Sequence, residues 1–530
     1  MASAKRRLKG VLAALPFTAE LDWYLRHRGE AARGFSLDKL EPVLAEWHAQ
    51  AAASPFKHSR GKRVLLYGTQ RYWIEYAALL GLAFAGLGHK VTLAYSPFAD
   101  WRVPVSAYDL RQHNLYAKGV MRQAEPLLET LSFADAPRTS RLPPVLTEQI
   151  ADLSLRDAQY TLQVEEIAWD DALYHLRLAR NTAAAEAALG WLQANPTDIV
   201  IVPNGLILEM GAVFLSAKHL KIPTVSYEFG EQRGRIWLSQ DAPVMIQETG
   251  GLWSARKDQP FGEEEMERIQ ALYAARTGAG LYQHFYRYWQ NLPSEGSAQA
   301  RVKLGLDDRP IVLLAANVIG DSLTLGRQVF TDTMTEWLVK TLEYFASQTQ
   351  AQFVLRTHPG EKNLPGPSVM DIVARVLPTL PTHMRAVGPE EEINTYDIIS
   401  IADLGLAYTT TVGMEMAMSG VPVIVLGRTH YRNKGFTLDP ASWEDYYRMV
   451  EEVLAAPTKL SEEQVRTAWH YAYRFFFDYP HDFPWHLIHF WDNVDEWPLR
   501  DVLTEAGLAA YGRTFDFLLG EPLTWDGKQR

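Results

Sequence analysis

The sequence predicts an α/β protein with two doubly wound parallel sheets facing across a cleft and extra helices at both ends of the chain. Three observations predict it. At 530 residues the chain is too long for one ordinary core. Short apolar runs bounded by glycine or proline recur in two separate regions, each the length of a strand buried on both faces. The stretches between them carry helical periodicity, which makes β-α-β units with right-handed crossovers.

Residues 1–60 form a polar, helical N-terminal extension ending in the breaker-rich AAASPFKHSRGK. Residues 61–250 form a first Rossmann-like domain. RVLLYG (63–68) is its first strand, Tyr72 to Leu87 its first helix, and KVTLAY (90–95) its second strand. DIVIVP (198–203) and IPTVSYE (222–228) follow, joined by a helix over Leu206–Leu220. The stretch of about 105–190 is an insertion rich in Arg, Glu, Leu and Ala, expected to be helical and without a strand. Residues 251–308 form a helical connection. A second Rossmann-like domain covers 309–440, with strands in RPIVLLAAN (309–317), QFVLRT (352–357), HMRAV (383–387), LGLAY (404–408) and VPVIVLG (421–427). Residues 441–530 are helical and aromatic-rich, and packing back on the first domain is their simplest role.

Composition removes several function classes. A net charge of −11 argues against general nucleic-acid binding, which needs a basic footprint. With no cysteine there is no disulfide, thiolate nucleophile or cysteine metal site, and a cytoplasmic location is expected. No run of about eighteen apolar residues suggests a transmembrane helix. The opening MASAKRRLKGVLAALPF carries four basic residues before a short apolar stretch. It reads as a solvated helix start, with weak peripheral contact to the inner face of an anionic membrane as the alternative.

Ligands of doubly wound sheets bind beyond the carboxyl ends of the strands. In the second domain polar residues gather there: Asn317, Gly320, Asp321 and Ser322 after one strand, His358, Pro359, Gly360 and Glu361 after the next. Thr409, Thr410 and Thr411 end the strand Leu404–Tyr408 and precede a helix starting near Val412. A helix start offers backbone N–H groups and a partial positive charge to a phosphate. Glu415, one turn in, is expected to reach a ribose diol. Arg356, Arg428, Arg432 and Lys434 offset a diphosphate. In the first domain Gly68–Arg71, Asn204, Gly205, Glu228 and Glu231 end strands and face the cleft. YGTQRYW is no dinucleotide fingerprint, and HExxH, GxSxG and P-loop motifs are missing, so dehydrogenase, serine hydrolase and NTPase chemistry fall away.

NVIGDS, RTHPGE and YTTTVGMEMAMSGVPVIVLGRTHYRNKGFT resemble the bacterial capsule polysaccharide biosynthesis family, GT-B-type glycosyltransferases that include Kdo transferases. The likeness covers about residues 310–440 and, through the pattern of elements, residues 60–240. It implies a GT-B-like fold and metal-independent transfer of a sugar from a nucleotide-sugar donor to a glycan or lipid-linked acceptor, with no cofactor. His358-Pro359 matches the family's HP element. Thr410, Thr411, Gly413 and Glu415 match its nucleotide-site strand–helix–strand, and Tyr431, Lys434 and Gly435 the element after it. On this reading Thr410, Thr411 and the N–H groups near Gly413 hold phosphate, while Arg356 and His358 stabilise the leaving group. Glu228 or Asp321 activates the acceptor or makes a covalent step. A sugar-nucleotide 2-epimerase, a glycerophosphate transferase and a non-catalytic scaffold that binds glycans or partners are the alternatives on the same architecture.

Overall fold

A computed structural model describes residues 12, 15–26, 32, 34–56, 61–139, 141–283, 285, 292–364 and 366–525. The basic segment 1–11, read as a solvated helix start with weak membrane contact as the alternative, lies outside the described residues. The strands are β1 (Arg63–Thr69), β2 (Lys90–Ser96), β3 (Leu128–Ser132), β4 (Ile199–Pro203), β5 (Thr224–Glu228), β6 (Arg235–Gln240), β7 (Ile311–Ala315), β8 (Gln352–Arg356), β9 (Met384–Val387), β10 (Leu404–Ala407), β11 (Val423–Val425) and β12 (His481–Asp482).

They form two sheets with one shared strand order. The first runs β3-β2-β1-β4-β5, all parallel, and continues with β6 and β12, which pair antiparallel. The second runs β9-β8-β7-β10-β11, all parallel. Each half therefore reverses direction between its first and fourth strands, β1/β4 and β7/β10, which is where a doubly wound sheet opens a crevice. The two halves together form the GT-B-like arrangement of two Rossmann-like domains.

The continuous apolar runs become strands because both faces of each sheet are covered. Val312 and Leu314 pack into one core cluster and Ile311 and Leu313 into another, so alternate residues of β7 serve opposite faces. In the first half the helix Gln70–Gly86 is buried along nearly its whole length, between the sheet and later parts of the chain. Gly86 permits this: a Cβ there would lie 2.7 Å from the Leu503 side chain.

Two elements depart from expectation. The insertion over 105–190 contains β3, the outer parallel strand of the first sheet. Its pattern is half-exposed, with Glu129 and Thr130 in the middle, so no continuous apolar run marks it. The aromatic tail serves both halves. The helix Trp443–Ala455 packs on the second sheet through Tyr446 and Val450. After the helix Glu462–Tyr473 and a π-helical turn over Arg474–Asp478, the chain returns to the first half. There β12 extends the sheet, and Phe483, Trp485, Phe490, Leu499 and Phe515 enter the first core. Burying such side chains stabilises by roughly 1.5–3 kcal/mol each.

The insertion also joins the halves. The helix Pro144–Leu162 ends at Gln163, whose φ of 56° is left-handed. The backbone there lies so close to Gly320 and Gly366 of the second half that a Cβ at Gly320 would fall 2.3 Å from the Val164 nitrogen. At Gly366 it would fall 2.1 Å from the Gln163 carbonyl oxygen. Beside them the Glu165 carboxylate accepts the N–H groups of Met334 (2.7 Å) and Thr335 (2.8 Å), at the start of the helix Met334–Ser347.

Candidate functional site: a basic cleft between the halves

At the second switch point the ends of β7 and β10 are tied together. Asn317 Oδ1 accepts the Thr409 N–H at 3.1 Å. The Thr410 carbonyl accepts the Gly413 N–H at 3.0 Å and the Tyr431 hydroxyl at 2.6 Å. Gly413 is required for this contact, because a Cβ would sit 2.3 Å from the Tyr431 oxygen. The Thr410 hydroxyl accepts the Val412 N–H at 3.4 Å, and the Thr411 carbonyl accepts from Met414 and Glu415. The N–H groups around Gly413, expected to hold phosphate, are thus spent on the turn itself.

Two further expectations are corrected. Glu415 is 1% exposed, with Oε1 2.9 Å from Arg276 Nε and Oε2 accepting the Tyr396 hydroxyl at 3.0 Å. Burial raises its pKa, against the opposing charge of Arg276. A carboxylate so enclosed cannot reach a ribose. Arg356 is likewise buried, donating to the Gly388 carbonyl at 2.6 Å and to Thr395 Oγ1 at 3.5 Å. Its cation braces the end of β8 against the loop that follows β9 and does not face the cleft.

His358 stands half-buried at the start of the turn Pro359–Asn363, and its Nδ1 accepts the Gly360 N–H at 3.0 Å. The neutral ring then carries its proton on Nε2 and is a donor there. Asp321 caps its own turn, accepting from Ser322 Oγ (3.1 Å) and the Leu323 N–H (3.4 Å). Glu228, at the end of β5, accepts from Asn204 Nδ2 and the Phe229 N–H, both at 3.0 Å. Burial raises its pKa. Tyr160, on the insertion helix, links the two carboxyls: burial raises its pKa, and the charges of Asp321 and Glu228 raise it further. Candidate acids from opposite halves therefore act on one phenol.

Between the halves lies a cavity of about 430 Å³, within the size range of small-molecule sites. Arg156, Tyr160, Leu206 and Ile207 line it from the first half, and Ser322, Arg327, Arg428, His430, Arg432 and Lys434 from the second. Residues 246–249 complete the wall. Of the expected site residues, Arg428, Arg432 and Lys434 line this cavity, whereas Glu228, Asp321, His358, Thr410 and Thr411 stand at strand ends outside its lining. The 428–434 loop is fastened to the threonine turn by Tyr431 and by Thr429 Oγ1, which donates to the Thr409 carbonyl at 3.3 Å.

The lining holds five guanidinium or ammonium groups and a single carboxylate, Glu248. Among the described residues, Arg156, Arg327, Arg428, Arg432 and Lys434 form no ion pair. Arg327 donates to the carbonyls of Met245 and Ile246, and burial lowers its pKa, followed by the charges of Arg428 and Arg156. Burial also lowers the pKa of Lys434, with Glu248 opposing. The exposed Arg428 and Arg156 thus bear their charge on the buried Arg327 at the cleft wall, an arrangement that an anionic ligand would relieve.

His430 forms part of the wall. Its ring stacks on Phe475 with centroids 3.7 Å apart, and its Nδ1 lies 3.1 Å from the Tyr471 hydroxyl. That hydroxyl donates to the His430 carbonyl at 2.6 Å, so the ring donates from Nδ1 and Nε2 is the acceptor. Burial, then Lys434 and Arg327, lower its pKa to about 3 and keep it neutral near pH 7. Arg156 and Arg327 went unread in the sequence, because neither ends a strand. Their only signal was charge in segments that otherwise looked like helix and loop. Among the described residues no group of three or more His, Asp or Glu is placed to hold a metal ion.

No family model matches the sequence, and no curated protein matches it. Solved structures to which it is similar include the KpsC β-Kdo 2,7 transferase of Thermosulfurimonas dismutans. That match has 15% identity and a TM-score of 0.31, over 54% of this chain and 79% of the other. CalG4, the calicheamicin glycosyltransferase, matches at 16% identity and a TM-score of 0.25, over 79% and 95%. A UDP-GlcNAc 2-epimerase from Neisseria meningitidis, bound to UDP-GlcNAc, matches at 14% identity and a TM-score of 0.22, over 77% and 94%. The fold described above rests on the strand order itself.

Proposed function

We propose that the protein is a glycosyltransferase that moves a sugar from a nucleotide-sugar donor to a glycan or lipid-linked acceptor in surface or capsule polysaccharide biosynthesis. The observation that carries this reading is the cleft's excess of cations, Arg156, Arg327, Arg428, Arg432 and Lys434 against Glu248, beside the β7/β10 switch point. A nucleotide sugar brings the phosphate charge that such a cleft lacks, and bond cleavage to the sugar increases that charge. Fixed cations stabilise the build-up without reorganising, and no metal is required for that role.

In this mechanism Arg428, Lys434 and Arg327 hold the phosphate, and Arg156 closes on it from the opposite half. Thr410, Thr411 and His358 Nε2 flank the donor at the adjoining strand ends. Glu228 is the acceptor's base: it lies at the end of β5 in the first half, where burial raises its pKa and so makes its carboxylate the stronger base. Asp321, on the donor half, acts with it on the Tyr160 phenol.

The test is a thermal-shift screen with CMP, UDP, GDP, CDP and dTDP, followed by product analysis with the matching sugar nucleotide. Ligand at one hundred times its dissociation constant stabilises by about 2.7 kcal/mol, a visible shift. One nucleotide is expected to stabilise the wild type and, at the same concentration, to stabilise Arg428→Met less, and its sugar to appear on an acceptor. Epimerised free nucleotide sugar, or no stabilisation by any nucleotide, would overturn the reading.

A further inference from the structure

The ring of His430 is fixed by aromatic neighbours. It stacks on Phe475, with centroids 3.7 Å apart, and on Tyr471 at 5.9 Å, and Tyr431 meets it edge-on at 5.1 Å. The His430 carbonyl accepts from Thr249 Oγ1 at 3.0 Å and from the Tyr471 hydroxyl at 2.6 Å. Nδ1 is committed to Tyr471 at 3.1 Å. Only 8% of the residue is exposed, and it lines the cavity between the halves. Nε2 has no hydrogen-bond partner among the described residues and is not sealed from solvent. Its lone pair is therefore what this ring offers the cavity.

A lone pair is scarce on that wall. Arg156, Arg327, Arg428, Arg432 and Lys434 can only donate, and Glu248 is the single carboxylate. A neutral imidazole nitrogen does not hold a phosphate oxygen, because both present lone pairs. The ligand group opposite Nε2 must bring its own proton. Burial, then Lys434 and Arg327, keep the ring in that neutral form. In a nucleotide the proton-bearing groups nearest the phosphate are the ribose hydroxyls. The transferred sugar has hydroxyls too, but it has to point toward Glu228 on the first half, whereas His430 stands on the second. Glu415, expected to take the ribose, is enclosed by Arg276 and Tyr396.

We propose that His430 reads the ribose: its Nε2 accepts a hydrogen bond from the 2′- or 3′-hydroxyl of the donor nucleotide and selects ribonucleotides over the analogue that lacks that hydroxyl. This rests on the nucleotide-sugar reading above and names the class of nucleotide that the site takes. The surrounding cations meet phosphate and do not distinguish ribose from deoxyribose, so that discrimination falls to the ring.

The experiment is titration calorimetry of the full chain with CMP, UDP, CDP and GDP, each against its 2′-deoxy and 3′-deoxy form. The ribonucleotide that binds is expected to lose roughly 5- to 100-fold in affinity when one hydroxyl is removed. His430→Phe, which keeps the stack on Phe475, should bind that ribonucleotide about as weakly as the wild type binds the deoxy form, and should lose the preference. His430→Gln, whose amide oxygen reaches the place of Nε2, should keep part of it. Spectra of the wild type with nitrogen-15-labelled histidine need no folded Phe variant. The Nε2 signal of His430, identified by its loss in His430→Gln, should move with the ribonucleotide and stay with the deoxy form. Equal wild-type affinity for the ribonucleotide and both deoxy forms, an undiminished preference in His430→Phe, or an unresponsive Nε2 signal would overturn the proposal and leave the glycosyltransferase reading standing. Failure of every ribonucleotide to bind would overturn both.

Discussion

Arg276 Nε lies 2.9 Å from Glu415 Oε1, and the two side chains are 5% and 2% exposed. This pair joins the helix Glu263–Thr277 to the helix Val412–Met418, just beneath the threonine turn. Glu415→Ala leaves the Arg276 charge in the interior without its carboxylate, a change that typically costs about 3–5 kcal/mol. Urea unfolding should show a lowered midpoint with an unchanged m value. Replacing both residues, as Arg276→Met with Glu415→Leu, should recover most of the loss. A Glu415→Ala protein of wild-type stability that fails only in nucleotide binding would restore a ribose contact.

The joint at Gln163 sets how the halves sit. Gly366→Ala would place a methyl group 2.1 Å from the Gln163 carbonyl oxygen, and neither partner is a flexible side-chain end. The segment 163–166 should therefore lift, seen as faster proteolysis there and a larger radius of gyration by small-angle scattering. Glu165→Ala removes the carboxylate from the start of the helix Met334–Ser347 and should cost about 1 kcal/mol. It should also open the joint without a steric clash, so the two variants separate the effect of the cap from that of close packing.

Arg428 and Lys434 should trade stability against binding. Hydrogen bonds to charged groups contribute about 1.5–3 kcal/mol, so Arg428→Met or Lys434→Met should weaken nucleotide binding by roughly 10- to 150-fold. Without ligand, Arg428→Met relieves the charge that helps lower the pKa of Arg327, and the melting temperature at low salt should rise slightly. Isothermal titration and melting curves across salt concentrations check both signs.

Glu75 gives a pH-dependent prediction away from the cleft. It is 2% exposed, 4.0 Å from Arg71, and burial raises its pKa to about 7 from an ordinary 4.5. For a carboxyl raised on folding, the stability is fully present below pH 4.5 and is lost as pH rises through 7. The loss at pH 8 is roughly 3 kcal/mol. Glu75→Gln should therefore stabilise the protein at pH 8 and change little at pH 4.5. Equal effects at the two pH values would mean that Glu75 folds as a charged group.

Much of this organisation was legible in residues taken one stretch at a time. Runs such as IVLLA at 311–315 could be read because a strand buried on both faces must be apolar throughout. β3 could not, since an edge strand with Glu129 and Thr130 half in solvent shares its composition with helices and loops. At the site, Arg428, Arg432 and Lys434 were found because they follow a strand end. Arg156 and Arg327 were not, because one lies on an insertion helix and the other in a loop well beyond β7.

The sequence by itself determined the two parallel sheets and which polar groups stand near their carboxyl edges, because strand burial and chain order are local properties. Only the tertiary structure decided which of those groups face a ligand-sized space. Glu415 and Arg356 sit at the right strand ends, yet Arg276, Tyr396 and the Gly388 carbonyl claim them inside the fold. The cleft's charge instead comes from Arg428, Arg432 and Lys434 together with Arg156 and Arg327, brought in by packing the two halves together. A buried charge needs a partner, and that partner comes from a distant segment that local patterning does not specify.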